Sequence, residues 1–549
     1  MSTLTLSGVA ASFGARPLFS GLDLIVAPGD VTALVGPNGS GKTTLLRIIA
    51  GLHAPDEGSV RLSPPDAAVG HLPQSLPSAS ESILDYAQRR TGVADATREY
   101  EAVIEALAAG ERASDDRYSR ALDRWLHLGG ADLDVRLNEV LARVGLPVEL
   151  DRPLGSLSGG QAARASLASI LVSQFDVLLL DEPTNNLDAD GLDSMTEFVR
   201  GTRTPVLIAS HDRAFLDDVA TSVVELDLFQ QRVAHYAGGW SDHRAAKALA
   251  RDQAEEAYET FEARRADLVD EARRKSEWAS QGRAKAARLG PGTQLEKKFK
   301  EDRARRMDQR AARVRNAVDR LEVVDQPRRE WQLRYAISEA APSADVVATL
   351  ENVVLRRGEF VLGPVSAQIA RGDRVALTGP NGSGKSTLID ALLGRLAPAS
   401  GRISWGTRVS VGVLDQERTE VSGERLLLDV VHEALGSDDP AATRTLLAKF
   451  GLGADHIARR CSSLSLGERT RASLAILQGR AVNVLIVDEP TNHLDVEAIE
   501  QLQSALAGFG GTLLVVSHDR RLVEALRSTS SWSTGDGRVR VLAWPQSST

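Results

Sequence analysis

Lys42 and Thr43 close the run Gly36-Pro37-Asn38-Gly39-Ser40-Gly41-Lys42-Thr43, and Lys385 and Ser386 close a second, Gly379-Pro380-Asn381-Gly382-Ser383-Gly384-Lys385-Ser386. Closely spaced glycines let backbone N–H groups fold around phosphate oxygens, the lysine adds a point positive charge, and the hydroxyl beside it can ligate Mg²⁺. Farther along, Asp181-Glu182 and Asp488-Glu489 each end an apolar run, and His211 and His518 each end another. An aspartate there suits direct or outer-sphere contact with Mg²⁺, a glutamate suits taking the proton of an attacking water, and a histidine suits a γ-phosphate. A chance glycine turn or a satisfied surface histidine explains one such residue alone. The same set twice, at matching intervals, points to hydrolysis of ATP.

These groups need strands that end together. Val31-Thr32-Ala33-Leu34-Val35 precedes the first cradle and Thr44-Leu45-Leu46-Arg47-Ile48-Ile49 follows it, a strand, loop and helix in succession. Val177-Leu178-Leu179-Leu180 and Val484-Leu485-Ile486-Val487 are continuous apolar runs, as strands buried on both faces should be. Carboxylates at the end of such a strand face the ligand crevice of an α/β sheet.

The set resembles the ATP-binding cassette superfamily. The family's signature resembles Leu157-Ser158-Gly159-Gly160-Gln161 in one half and Leu464-Ser465-Leu466-Gly467-Glu468 in the other. Gln74 and Gln416 stand where the family has a glutamine that contacts Mg²⁺ and water, and Asn186-Leu187-Asp188 and His493-Leu494-Asp495 match its D-loop. The resemblance implies ATP contacts at Thr44 and Thr387 beside the cradles, Mg²⁺ ligation by Thr43, Gln74, Asp181, Ser386, Gln416 and Asp488, and head-to-tail pairing of the cassettes. In site one Lys42, Glu182 and His211 would then face Ser465, Gly467 and Glu468. In site two Lys385, Glu489 and His518 would face Ser158, Gly159, Gly160 and Gln161.

Two departures make the sites unequal. Leu466 replaces a signature glycine and Glu468 a glutamine, so site one is expected to be slower or more selective. Phe13 stands where the family stacks an aromatic ring on adenine, whereas the second half has Arg356-Arg357. Either a guanidinium stacks there instead, or site two holds the base loosely.

The repeat interval also shifts. Lys385 follows Lys42 by 343 positions and Gln416 follows Gln74 by 342, but Ser465, Asp488 and His518 follow their counterparts by 307. The drop from 342 to 307 marks an insertion of about 35 residues in the first half, expected as a helical arm at about 93–130.

Between the halves the text is poor in Gly and Pro except at Gly290-Pro291-Gly292, and rich in Ala, Arg and Glu. Ala254, Tyr258, Phe261, Leu268 and Ala272, then Met307, Ala311, Val314, Val318 and Leu321, fit a heptad seam, with Arg265 as the polar exception. Two antiparallel helices of about 40 residues would reach roughly 60 Å. From Arg273 to Arg315 there are fifteen Lys and Arg against five acidic residues, crowding the turn at Arg283, Lys285, Arg288, Lys297, Lys298, Lys300, Arg303, Arg305 and Arg306. A charge run is usually a solvated face, but a one-signed excess in a chain of net charge −9 favours a tip that meets phosphates. Such contacts position without reading sequence, so a structured RNA is expected rather than DNA.

The 549 residues exceed one domain. A single cysteine, Cys461, excludes a disulfide framework. Met1-Ser2-Thr3-Leu4-Thr5-Leu6 shows no basic region leading into an apolar core, and no stretch approaches the roughly 18–20 apolar residues of a membrane helix, so a cytoplasmic protein is expected.

Tandem cassettes, a charged linker and no membrane span resemble the ABC-F family of ribosome-associated ATPases, with Tyr236-Ala237-Gly238-Gly239-Trp240-Ser241-Asp242 similar to its entry into the linker. The resemblance implies an α/β fold of two P-loop cassettes, 1–240 and 346–543, joined by a coiled-coil hairpin at 241–345 and followed by a tail at 544–549. It implies ATP and Mg²⁺ as ligands, and as partner a ribosome whose large-subunit rRNA and P-site tRNA meet the linker of a monomer. The short arm, long linker and Leu-Ser-Leu-Gly-Glu signature look like the family's antibiotic-resistance members. A housekeeping translation factor and a tandem-cassette subunit of a membrane importer are the other readings.

Overall fold

The computed structural model describes residues 2–14, 16–72, 80–109, 115–157, 159–185, 187–227, 231–287, scattered positions between 298 and 316, 343–436, 439–492 and 494–543. They fall into two compact units, Met1–Ser241 with Leu333–Thr549, and Asp242–Gln332.

The first unit contains the same cassette twice. Cassette one has strands β1 (Thr3–Phe13), β2 (Arg16–Val26), β3 (Val31–Val35), β4 (Glu57–Ser63), β5 (Val69–Leu72), β6 (Val177–Asp181), β7 (Val206–Ala209), β8 (Ser222–Asp227) and β9 (Arg232–Ala237). Cassette two has β10 (Val346–Arg357), β11 (Phe360–Ala370), β12 (Arg374–Thr378), β13 (Ser400–Trp405), β14 (Val411–Leu414), β15 (Val484–Asp488), β16 (Thr512–Val516), β17 (Ser530–Gly535) and β18 (Arg538–Ala543). Six-stranded sheets run β5-β6-β7-β3-β8-β9 and β14-β15-β16-β12-β17-β18, each parallel until its last strand. Three-stranded antiparallel sheets, β2-β1-β4 and β11-β10-β13, complete the two cassettes.

Strand order positions the chemistry. Because β7 lies between β6 and β3, their C-terminal ends lie side by side, Asp181 opposite Ala209 and Ala33 opposite Ile208. Asp181-Glu182, His211 and the first glycine cradle therefore emerge along one edge, at the switch point where helices part to either face. β16 sits between β15 and β12 in the same way, with Asp488 opposite Val516. Every residue of β3, β6 and β7 is buried. Val177 and Leu179 enter the core shared with the small sheet and the Lys42–Ile49 helix, while Leu178 and Leu180 enter the core on the opposite face.

In cassette one, helices Val93–Ala108 and Asp115–His127 pack on one another: Tyr100 stacks on Trp125 at 5.6 Å, Trp125 Nε1 donates to Thr97 Oγ1 at 2.9 Å, and Arg124 pairs with Glu99 at 2.8 Å.

Helix Trp240–Ala287 runs on from the first unit as one 48-residue element, in keeping with its Gly- and Pro-poor text. Within the second unit Ala272 is buried, Tyr258, Phe261 and Leu268 are half-buried, and the Tyr258 and Phe261 rings lie 6.5 Å apart. The described positions between 298 and 316, Val314 among them, are helical. Met307, Ala311, Val318 and Leu321 of the expected return helix, with the turn at 288–297, lie outside the described residues.

Candidate ATP sites

Each cradle grips its own lysine. Lys42 is 8% exposed at the start of helix Lys42–Ile49, and its Nζ donates to Gly36 O at 2.8 Å and Pro37 O at 3.3 Å. Lys385 repeats this with Gly379 O at 2.7 Å and Pro380 O at 3.0 Å. Burial lowers the pKa of both amines; Glu182, Asp495 and Asp181 oppose this at Lys42, and Glu489, Asp188 and Asp488 at Lys385. Two of those carboxylates, Asp495 and Asp188, belong to the opposite cassette. Ser40 Oγ is buried in its cradle with no hydrogen-bond partner among the described residues, the kind of orphaned hydroxyl a phosphate oxygen would satisfy. With Thr43 and Asp181 close by in the fold, the donors suit Mg²⁺ held by one hydroxyl, one carboxylate and substrate oxygens.

Glu182 and Glu489 are held in strained backbone. Their φ values are 50° and 42°, in the left-handed region, and their N–H groups bond Ala209 O at 2.8 Å and Val516 O at 2.9 Å on the neighbouring strand. Burial raises Glu182 to about 8 and Glu489 to about 7; the adjacent lysine opposes and the adjacent aspartate adds to the rise. The backbone N–H groups of His211 and His518 donate to these carboxyls. The His211 and His518 Nε2 atoms lie 3.2 Å from Glu182 Oε1 and Glu489 Oε1. Burial, helped by the nearby lysine, pulls His211 down to about 3 and His518 to about 4, so both imidazoles are neutral at pH 7. At about 8 and about 7 both carboxyls hold a proton for much of the time near pH 7, so their base form grows as pH rises.

The cassettes interlock head to tail. Asp188 caps helix Ala189–Gly201 through Oδ1, accepting from Gly191 N at 3.1 Å, while Oδ2 accepts from Asn381 N, in the opposite cradle, at 3.0 Å. Asp495 caps helix Val496–Ala507 and accepts from Asn38 N at 3.2 Å. The signature loops differ in fit. A Cβ on Gly160 would stand 2.6 Å from Asn381 Cβ, so only glycine fits there; at Gly467 the nearest atom would be Ala498 Cβ at 3.6 Å. Site two also opens into a cavity of about 340 Å³ lined by Asp188, Asp190, Gly379, His518 and Arg520.

Arg213 and Arg520, which follow the two His-Asp pairs, are treated differently. Arg213, 4% exposed, crosses to cassette two, with Nη2 at 3.0 Å from Gln503 Oε1 and 3.5 Å from Asp519 Oδ2. Arg520 pairs with Asp193 at 2.8 Å in the open.

Gln416 stands two residues beyond the end of β14, whereas Gln74, Ser158, Asn186 and His493 lie outside the described residues. Gly159, Gly160 and Gln161 begin helix Gly159–Leu171. Glu468 turns to its own helix: it accepts from Ser465 N at 2.8 Å in a capping box and is approached at 3.3 Å by Arg459 and by His456. Phe13 is 79% exposed at the end of β1, a ring with a bare face. Arg357 is drawn to Asp390 at 3.4 Å. Arg283 and Lys285 lie on helix Trp240–Ala287; Lys298, Arg303, Arg305 and Arg306 are exposed on helical backbone; Arg288, Lys297 and Lys300 lie outside the described residues.

Motif spacing assigns no role to Arg213 or to the carboxylates of Asp188 and Asp495. Their recurrence at an interval of 307 is the signal the chain does carry for them.

A family model described as ABC transporter matches residues 19–185 and 362–492. The Tylosin resistance ATP-binding protein TlrC of Streptomyces fradiae is 37% identical over 542 residues, covering 95% of each chain. ATP-binding protein Uup of Haemophilus influenzae is 33% identical over 98% of this chain and 80% of its own length. Among solved structures, RNase-L Inhibitor superposes with a TM-score of 0.55 at 20% identity, covering 98% of this chain and 90% of that one, a likeness of fold. No helix among the described residues is long and apolar enough to cross a membrane.

Proposed function

We propose, from the premise that this chain belongs to the ABC-F branch of the ATP-binding cassette family, that it is a ribosome-binding ATPase that protects translation from antibiotics. The observation that carries this reading is the joining of two interlocked cassettes to a long helix with a basic end, in a chain that matches a tylosin resistance protein over 95% of its length.

ATP, with Mg²⁺, is the ligand of the cassettes. Bound Mg²⁺ neutralises charge on the phosphate oxygens. Lys42 and Lys385 hold the phosphates, Glu182 and Glu489 take a proton from the attacking water, and His211 and His518 orient toward the γ-phosphate. Because each site needs the opposite cassette's signature loop, ATP favours the closed pair and hydrolysis releases it. The closed form fits the ribosomal exit site in the cytoplasm, where the 241–345 linker reaches the P-site tRNA and the peptidyl transferase centre. The basic residues from Arg283 to Arg306 meet RNA phosphates.

The test is drug susceptibility. Expression in a susceptible high-GC host raises the inhibitory concentration of a macrolide at least about fourfold, and a variant with Glu182→Gln and Glu489→Gln does not. Unchanged susceptibility across macrolides, lincosamides and streptogramins, together with ATP-dependent ribosome binding, would leave the housekeeping reading.

A further inference from the structure

Arg418, two residues beyond Gln416, is the most deeply buried cation in cassette two, at 1% exposure. It sits at φ 56°, in the left-handed region that residues other than glycine uncommonly adopt. Nε donates to Thr470 Oγ1 at 3.0 Å, Nη2 donates to Pro490 O at 2.9 Å, and Nη1 donates to Asp415 O. None of these acceptors carries a charge. Burial lowers the guanidinium to about 10, with Asp415 opposing.

A cation buried in a neutral cradle is costly, so what its fork connects matters. Asp415 precedes Gln416, and Pro490 follows Glu489. Thr470 lies on helix Leu466–Gly479, and its hydroxyl passes the contact on by donating to Leu466 O, in the signature loop, at 2.9 Å. One side chain thus ties together the glutamine segment, the turn after the glutamate and the signature helix.

The sequence of cassette one differs at the matching positions. At the repeat spacings of 342 and 307, Leu76 stands for Arg418 and Ala163 for Thr470, while Pro183 keeps the place of Pro490. Both polar partners are absent together, so the chain contains its own comparison.

We propose that Arg418 is a positioning residue for ATP turnover at site two, fixing the Gln416 segment against the turn that follows Glu489 and linking both to the signature helix of site one. This rests on the ATP-site assignment above. Through Thr470 and Leu466 it also links the two sites along cassette two, by a pair of residues that cassette one replaces with Leu76 and Ala163.

The test uses the full chain carrying Glu182→Gln, so that turnover reports Glu489. Loss of that turnover on adding Glu489→Gln secures the assignment; persistence there would fault the assignment and not Arg418. In the Glu182→Gln chain, Arg418→Leu, which installs cassette one's residue, lowers kcat about tenfold and raises the Mg²⁺ needed for half-maximal rate, with a smaller change in KM for ATP. Arg418→Lys recovers part of the rate. Thr470→Ala, which leaves the cation in place, shifts kcat and the Mg²⁺ requirement in the same direction by less, and Thr470→Ser restores both. A kcat and Mg²⁺ requirement within about twofold of the parent in folded Arg418→Leu would overturn the proposal. Unfolded Arg418→Leu combined with an unaffected Thr470→Ala would overturn it as well.

Discussion

Gly160 and Gly467 hold the same place in two signature loops, yet only Gly160 has the opposite cradle pressed against it, so close that an added Cβ would meet Asn381 at 2.6 Å. Gly160→Ala should therefore lower ATPase activity about tenfold or more, while Gly467→Ala stays within about threefold, measured as steady-state phosphate release. Equal effects would show that the two sites close alike. The glutamates give a second test. Their raised values, about 8 and about 7, mean that the base form gains as pH rises through that range. At saturating MgATP, kcat should climb between about pH 6 and about pH 9, and a flat profile would exclude these carboxyls as the base. Lys42, Glu182 and His211 were legible in the sequence because local spacing and strand ends define them. Arg418 was not, because its partners Thr470 and Pro490 lie 52 and 72 positions away and nothing in their types announces the contact.

Helices and strands were legible to the extent that one face or both are buried. The apolar runs of β6 and β15 declared themselves, and the long helix from Trp240 showed in its lack of Gly and Pro. What spacing could not reveal is that Arg213 and Arg520, on matching helices, face different surroundings. Arg213 reaches Gln503, Asp519 and, at 3.9 Å, Glu500 across the cassette boundary. Arg213 is itself buried and bridges the cassettes, so Arg213→Ala should destabilise the closed pair by about 2–3 kcal/mol, seen as a raised ATP requirement and a lower melting temperature. Arg520→Ala, breaking an exposed pair, should cost no more than about 0.5 kcal/mol. Matching losses in the two variants would mean that the interlock is symmetric.

At the scale of the whole molecule, each cassette reaches into the other's cradle, through Asp188 on Asn381 and Asp495 on Asn38, as the proposed clamp requires. Head-to-tail pairing was what the resemblance implied, and unequal sites were expected from Leu466 and Glu468; the packing of Gly160 against Asn381 is what the sequence did not announce. A clamp does work only if its two shapes differ in affinity for a partner, and ATP then decides which shape prevails. The most direct measurement is cosedimentation with ribosomes in MgATP, comparing the wild-type chain with one carrying Glu182→Gln and Glu489→Gln. Retained ATP binding, lost turnover and at least about tenfold greater ribosome occupancy in the variant is the predicted result. Equal occupancy of the two proteins would contradict the account.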